Sequence, residues 1–327
     1  MTINWQRFSE VVNNHQSFLL TSHIRPDCDA LGSELGMAGI LESLGKDVEI
    51  VNGQATPPNL AFIDPQKKIS VLGEDRTVED LADVDVLMVL DTSAWIQLGP
   101  MGDVVRTTRA KKFILDHHVG EDDLGAELFK DPVSEATGSL VLQAAQQLDV
   151  QLTPEIAMPL FAAVATDTGW YRFNSTTSQT YRTAAALVDG GAHPASIYKA
   201  LYEQDSAGRV KLRGRILERF VVEQDGRLAH TFVRRADFEQ CGALPSDTED
   251  VINNGLAIKG VEVAVIFVEL KTGEFKISFR SQTDVDCSEL ARRFDGGGHK
   301  AAAGATVPGP FEEAQTKVLD AVRVAMS

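Results

Sequence analysis

The chain has 327 residues, room for two ordinary domains at ~100–200 residues each, and its 43% apolar and 24% charged content is that of a folded protein, not a disordered one. Lys and Arg number 31 against 47 Asp and Glu, a formal charge of −16, which excludes a globally basic nucleic-acid binder; a polyanionic substrate must be drawn by a local basic patch or by bound metal. Three cysteines, Cys28, Cys241 and Cys287, are too few and too dispersed for a disulfide framework or a zinc ribbon, which points to a reducing setting.

Residues Met1 to Glu10 show no basic stretch followed by an apolar core, and no window approaches the ~18 unbroken apolar residues of a membrane span. A soluble, cytoplasmic protein with no membrane partner is expected. In chain order, Ser17 to Ile24 reads as a buried strand, and Asp29 to Leu44 as a helix with Leu31, Leu35, Ala38 and Leu41 at helical spacing. Strands follow at Val48 to Val51, Asp83 to Leu90 and Lys112 to Leu115. This rhythm predicts an α/β fold with a mostly parallel N-terminal sheet flanked by helices, in which ligands gather beyond the carboxyl ends of the strands. Ser134 to Phe220 is mainly helical, interrupted at Gly190-Gly191.

A second, smaller α/β unit with a mixed sheet is expected from about Val221. It has a strand at Leu228 to Val233, a helix near Glu249 to Ile258, and a hairpin at Val261 to Ser281 turning at Lys271-Thr272-Gly273. A short helix, a glycine-rich loop and a helix from Phe311 to Ala325 complete it. The predicted division is a catalytic domain over residues 1–205, a linker helix over 206–222 and a substrate-binding domain over 223–327, with a cleft between the domains.

Four acidic or histidine clusters stand at strand ends or in a helical run: His23-Ile24-Arg25-Pro26-Asp27-Cys28-Asp29, Asp91, Asp116-His117-His118, and Asp167-Thr168-Gly169. One such Asp is ordinarily a cap or turn residue. Four clusters holding three of the seven histidines are hard to explain as four caps. Carboxylates converging at one sheet edge repel unless a cation binds among them, and imidazole with carboxylate suits Mn²⁺, Fe²⁺ or Zn²⁺ better than Ca²⁺.

These clusters resemble the motifs of the DHH phosphoesterase superfamily, and Gly296-Gly297-Gly298-His299 followed by Ala301-Ala302-Ala303-Gly304 resembles the signature of its associated C-terminal domain. The segment from Asp167 to Thr176 and the strand end Ser278-Phe279-Arg280-Ser281 make the chain most similar to the NrnA-type branch, nanoRNases that also dephosphorylate 3′-phosphoadenosine 5′-phosphate. Cys28 stands where relatives often carry His or Gly, and packing is its expected role.

The resemblance implies two divalent ions, Mn²⁺ first among them. One would be held by His23, Asp27 and Asp91, and the other by Asp29, Asp91, His117 and Asp167, with Asp91 bridging. It implies catalytic roles for Asp91, His118 and Asp116. His118 would face the scissile phosphate and not a metal. Asp116 reads equally as a partner that orients a ligand or as a strand-end cap. Arg280, Gly296, Gly297, Gly298 and His299, with His118, would bind substrate phosphate, although three glycines alone read as a flexible turn and Arg280 alone as a solvated side chain. The implied partners are short RNA oligonucleotides and small nucleotides, since few phosphate contacts suit an acidic chain and 7% aromatic content leaves little for a long base-stacking track. Trp170, Tyr171 and Phe173 could stack on one base, with core packing expected for at least two of them. Turnover of linear or cyclic dinucleotides is the alternative activity, and a non-catalytic nucleotide-binding module the alternative class. The resemblance allows a homodimer, but no interface is legible in the sequence.

Overall fold

The apolar runs of the N-terminal half become the inner strands of one sheet. The computed structural model describes residues 3–327, and its contacts divide into two units, Met1–Glu203 and Gln204–Ser327. In the first unit, α1 (Trp5–Asn14) precedes β1 (Ser17–Thr21), α2 (Cys28–Ser43), β2 (Asp47–Asn52), β3 (Ile69–Val71) and β4 (Val86–Leu90). Then come α3 (Trp95–Leu98), α4 (Met101–Thr107), β5 (Lys111–Asp116), β6 (Glu127–Lys130), α5 (Thr137–Gln147), α6 (Pro154–Asp167), α7 (Ser178–Asp189) and α8 (Pro194–Tyr202).

The sheet order is β3-β2-β1-β4-β5-β6, and every pair is parallel. The strand order reverses between β1 and β4, so their carboxyl ends flank the crevice where parallel sheets bind ligands. Strand side chains alternate between two buried faces. Phe18, Leu20, Met88, Leu90 and Leu115 pack with α2, α5 and α6, while Leu19, Leu87, Val89 and Ile114 pack with Leu98, Met101 and Val105.

Helices α2 and α6 pack in close contact. A Cβ on Gly32 would fall 2.3 Å from the Pro159 carbonyl oxygen, so only glycine permits this approach. Both helices end at the carboxyl edge of the sheet, α2 by its N-terminus and α6 by its C-terminus, so their contact fixes the spacing of whatever those termini carry.

The second unit contains α9 (Ala207–Glu218), β7 (Val221–Glu223), β8 (Leu228–Val233), α10 (Arg235–Cys241), α11 (Asn253–Leu256), β9 (Val263–Glu269), β10 (Phe275–Ser281), α12 (Cys287–Arg292), β11 (Gly297–His299), β12 (Ala302–Val307) and α13 (Phe311–Ala325). Its sheet is mixed, in the order β11-β12-β10-β9-β8-β7; β8 and β9 are parallel and the other pairs antiparallel. Leu212 and Ile216 of α9 are buried with Val233 and Phe238, so the segment expected to link the domains belongs to the core of the second unit. The helix expected near Glu249 to Ile258 is a single turn at Asn253–Leu256. No helix of the described residues is long and apolar enough to cross a membrane.

Candidate active site

The chain leaves β1 at Thr21 and turns through His23 into α2, whose N-cap is Asp27. Asp27 Oδ1 accepts hydrogen bonds from the backbone N–H groups of Asp29 and Ala30, both at 3.0 Å, which leaves Oδ2 free of the cap. Cys28, on the other side of the turn, is buried, and burial pushes its thiol up to about 12; it packs and is not a thiolate. Asp29 points inward, where Thr137 and Gly138 at the N-terminus of α5 donate their N–H groups to its two oxygens at 2.8 and 2.9 Å. Those donors favour a charged carboxylate.

Asp91 follows β4 in the left-handed region, with φ +63, a conformation costly for a residue with a Cβ and typical of functional sites. Its N–H remains tied to the Leu115 carbonyl at 3.0 Å, and Thr137 Oγ1 donates to its Oδ1 at 2.9 Å. β5 delivers Asp116 at its end, followed by His117 and His118, and α6 delivers Asp167 as its last residue.

These residues form three overlapping groups: His23, Asp27 and Asp91; Asp29, His117 and Asp167; and Asp91, His117 and His118. His23 Nε2 lies 3.4 Å from Asp91 Oδ2 and 3.9 Å from Asp27 Oδ1. His117 Nε2 lies 3.6 Å from Asp91 Oδ1, 3.6 Å from Asp167 Oδ2 and 3.8 Å from Asp29 Oδ2. These separations are too long for hydrogen bonds but close to the ~3–3.5 Å between ligand atoms around an ion with bonds of ~2.1 Å.

The imidazole tautomers fit the same purpose. Nδ1 of His23 is 3.0 Å from the Ile24 carbonyl and Nδ1 of His117 is 3.1 Å from the Ser134 carbonyl. A carbonyl accepts only, so each Nδ1 is the donor and Nε2 is the nitrogen left for a ligand. The carboxylates are held against their chemistry. Burial first, then the charges of Asp91 and Asp167, raises the Asp29 carboxyl well above its ordinary range. Burial and the charge of Asp27 do the same to Asp91, against the Thr137 hydrogen bond, and Asp167 is raised by burial. A divalent cation among them would remove that penalty, so the donor set fits such ions.

Asp116 is set apart from this group. It is fully buried, and both its oxygens are committed: Oδ1 to the N–H and Nδ1 of His118 at 3.0 and 2.8 Å, Oδ2 to Ser93 Oγ at 2.7 Å and to Lys130 Nζ at 3.2 Å. Burial pushes its carboxyl up, but the hydrogen bonds from His118 and Ser93 override it and bring the value down to about 2. The same bond raises the pKa of His118, which is half exposed and whose Nε2 is the ring nitrogen left for other contacts. Sequence reasoning missed the supports: Thr137, Gly138, Ser93 and Lys130 carry no motif that sets them apart, although the Thr-Gly pair at the start of a helix is the one local signal of an anion site.

In the second unit the structure replaces the expected glycine-rich loop with the short edge strand β11, paired antiparallel to β12. The glycines are there for close approach: a Cβ on Gly296 would fall 2.2 Å from the Gly304 oxygen, and one on Gly298, at φ +145, 2.5 Å from Ala303 Cα. Gly297 alone has open space beside it. Arg280 pairs with Ala302 on β12, and Ala302 pairs with His299 on β11, so Arg280 and His299 occupy one cross-strand row and share a face. Arg280 Nη1 donates to the Phe279 carbonyl at 3.0 Å.

Residues 17–164 match the N-terminal domain of the DHH family, and residues 227–327 match the DHHA1 domain. The chain is 32% identical over 308 residues to the bifunctional oligoribonuclease and PAP phosphatase NrnA of Thermus thermophilus, covering 93% of this chain and 88% of the relative. The chain belongs to the DHH family. The Bacillus subtilis NrnA is 28% identical over 300 residues, covering 90% of this DHH chain and 91% of that relative. Among solved structures, an exopolyphosphatase-related protein of Bacteroides fragilis superposes with a TM-score of 0.83 at 28% identity, covering 97% of the DHH chain and 94% of its own.

Proposed function

We propose that this chain is a phosphoesterase dependent on two divalent ions, Mn²⁺ by preference, that hydrolyses di- to pentaribonucleotides to mononucleotides and removes the 3′-phosphate of 3′-phosphoadenosine 5′-phosphate. One observation carries the reading: the two oxygens of Asp91 face different imidazoles, Oδ2 toward His23 and Oδ1 toward His117. A carboxylate so placed can serve two ion sites at once. His23, Asp27 and Asp91 would hold one ion, and Asp29, Asp91, His117 and Asp167 the other. When bound, such a pair supplies charge neutralisation for the phosphate and Lewis acidity for the attacking water. NrnA relatives that span nearly the whole chain support the substrate class.

The chain's own groups supply the rest. Asp116 accepts from His118 Nδ1, fixes the ring and raises its pKa, so that in the imidazolium form Nε2 can donate to phosphoryl oxygen as charge develops in an in-line displacement. His118 thereby acts on substrate, and Asp116 acts through it. Thr137 holds Asp91 in register. Arg280, Gly296, Gly297, Gly298 and His299 are read as the phosphate-recognition residues of the second unit. The Arg280–His299 row offers paired donors, and Gly297 an open backbone. A cytoplasmic enzyme is part of the same reading, and no helix of the described residues is long and apolar enough to cross a membrane.

The test is product analysis with Mn²⁺ on 5′-labelled dinucleotide, pentanucleotide and long RNA, and on 3′-phosphoadenosine 5′-phosphate, for the wild type beside Asp91→Asn and Arg280→Ala. Short substrates should turn over in the wild type, with activity lost in Asp91→Asn and KM raised in Arg280→Ala. Equal cleavage of long and short RNA, or full activity after metal is stripped, would overturn the proposal.

A further inference from the structure

The loop after Asp167 carries two exposed side chains that the chemistry above leaves unused. Gly169, Trp170 and Tyr171 follow one another in the left-handed region, with φ of +56, +59 and +64. The two aromatic residues hold this costly bend by packing inward. Trp170 lies against Phe161, Tyr198 and Tyr202, and Tyr171 stacks on Tyr181 with ring centroids 5.6 Å apart. The bend turns the next two side chains outward.

Phe173 is 54% exposed. Its ring nevertheless lies on the Gly169 backbone, where a Cβ would come within 2.4 Å of the ring edge. Gly169 is thus needed twice, for its φ and for its bare surface. One side of the ring is braced two residues from Asp167, and the ring keeps an open surface. Arg172 donates from Nε to the Gly169 carbonyl at 2.6 Å, and its guanidinium carbon sits 6.0 Å from the Phe173 ring centroid. No carboxylate of the described residues is ion-paired with it. A braced aromatic ring and a pinned cation therefore stand beside an acidic centre in a chain of charge −16. Isolated exposed apolar residues are ordinary. An exposed ring fixed against backbone next to a guanidinium with no ion-pair partner among the described residues is the equipment for a nucleotide, since every base offers a π face and every phosphate accepts from arginine.

We propose that Phe173 stacks on a nucleobase of the substrate and that Arg172 contacts the adjoining phosphate, making residues 169–173 a base subsite that selects nucleotides over base-free phosphoesters. This rests on the phosphoesterase reading and specifies its substrate recognition. One platform takes one base without regard to its identity, which favours short substrates of any sequence.

The experiment compares hydrolysis of the 5′-phosphorylated adenine dinucleotide with that of the same sugar–phosphate backbone lacking bases. It uses the Mn²⁺-loaded full chain as wild type, Phe173→Leu, Phe173→Tyr and Arg172→Gln, each checked by thermal melting. Phe173→Leu should raise KM for the dinucleotide about 5- to 100-fold more than for the abasic analogue, the range of one lost base stack, with kcat for the dinucleotide changed far less. Phe173→Tyr should restore KM, and Arg172→Gln should raise KM for both substrates. A KM for Phe173→Leu within twofold of wild type, or an equal rise for both substrates, overturns the base subsite. If Phe173→Leu fails to fold, loss of the wild-type preference for the dinucleotide over the abasic analogue in Arg172→Gln counts against the division of roles, and no such preference in the wild type overturns the subsite outright. A wild-type chain that cleaves neither substrate overturns the phosphoesterase reading itself, and this inference with it.

Discussion

Glu34 is fully buried in the middle of α2, with Oε2 accepting from Asn52 Nδ2 at 2.9 Å and Oε1 without a hydrogen-bond partner among the described residues. Burial pushes its carboxyl from 4.5 up to about 7. Such a raised acid stabilises the fold fully below the unfolded value and loses that contribution as pH rises through about 7. At ~1.36 kcal/mol per unit, the loss between pH 4.5 and pH 8 amounts to about 3 kcal/mol. Urea unfolding in the presence of chelator should show the wild type losing that much relative to Glu34→Gln across the interval; parallel curves for the two proteins would contradict it. Asp116→Asn tests a second buried acid. With the carboxylate gone, the His118 pKa should fall, the alkaline loss of kcat should move to lower pH, and kcat at its optimum should drop about 10–100-fold with little change in KM. A pH–rate profile that keeps its alkaline limb would make Asp116 a mere cap. The ligand types were legible in the sequence as clusters, because Asp and His at the ends of apolar runs stand out against the run. The supports were not, because Thr137, Ser93 and Lys130 meet their partners only through the fold, the first 46 residues from Asp91 along the chain.

At the scale of elements, the α2–α6 contact decides whether the site forms. α2 begins beside Asp27 and Asp29, and α6 ends on Asp167. Gly32→Ala would press a methyl group against the Pro159 carbonyl, so one helix must move. Overpacking of this kind costs about 1–3 kcal/mol. We expect a lower melting temperature and a larger fractional loss of metal affinity than of stability, read by calorimetry and Mn²⁺ titration; an equally small effect on both would separate the contact from the site. The central strands β1, β4 and β5 were readable because strands buried on both faces are unbroken apolar runs. β3, with Ile69-Ser70-Val71, and β6, with Glu127-Leu128-Phe129-Lys130, lie at the edges, carry mixed residues, and gave no such run. β11 was read as a loop because three glycines depress strand propensity, whereas the small residues of β12 allow the two backbones to meet.

At the scale of the whole chain, the two units bury separate cores, and the raised carboxyls of Asp29, Asp91 and Asp167 all lie in the first. Ions bound there stabilise only the unit that loses the site on unfolding. At a free Mn²⁺ concentration of about 100 times Kd, the gain is about 2.7 kcal/mol per site. Binding must displace any protons that the raised carboxyls hold in the ion-free protein, so the gain should grow with rising pH. Differential scanning calorimetry should therefore resolve a Mn²⁺-sensitive transition for the first unit and a Mn²⁺-insensitive one for the second. The sensitive transition should respond more at higher pH than at lower pH, and Asp91→Asn should abolish most of the response. A Mn²⁺ shift shared equally by both transitions would place the ions elsewhere. A shift that survives in Asp91→Asn would leave the carboxylate between the two imidazoles without the bridging role its two oxygens are placed to fill.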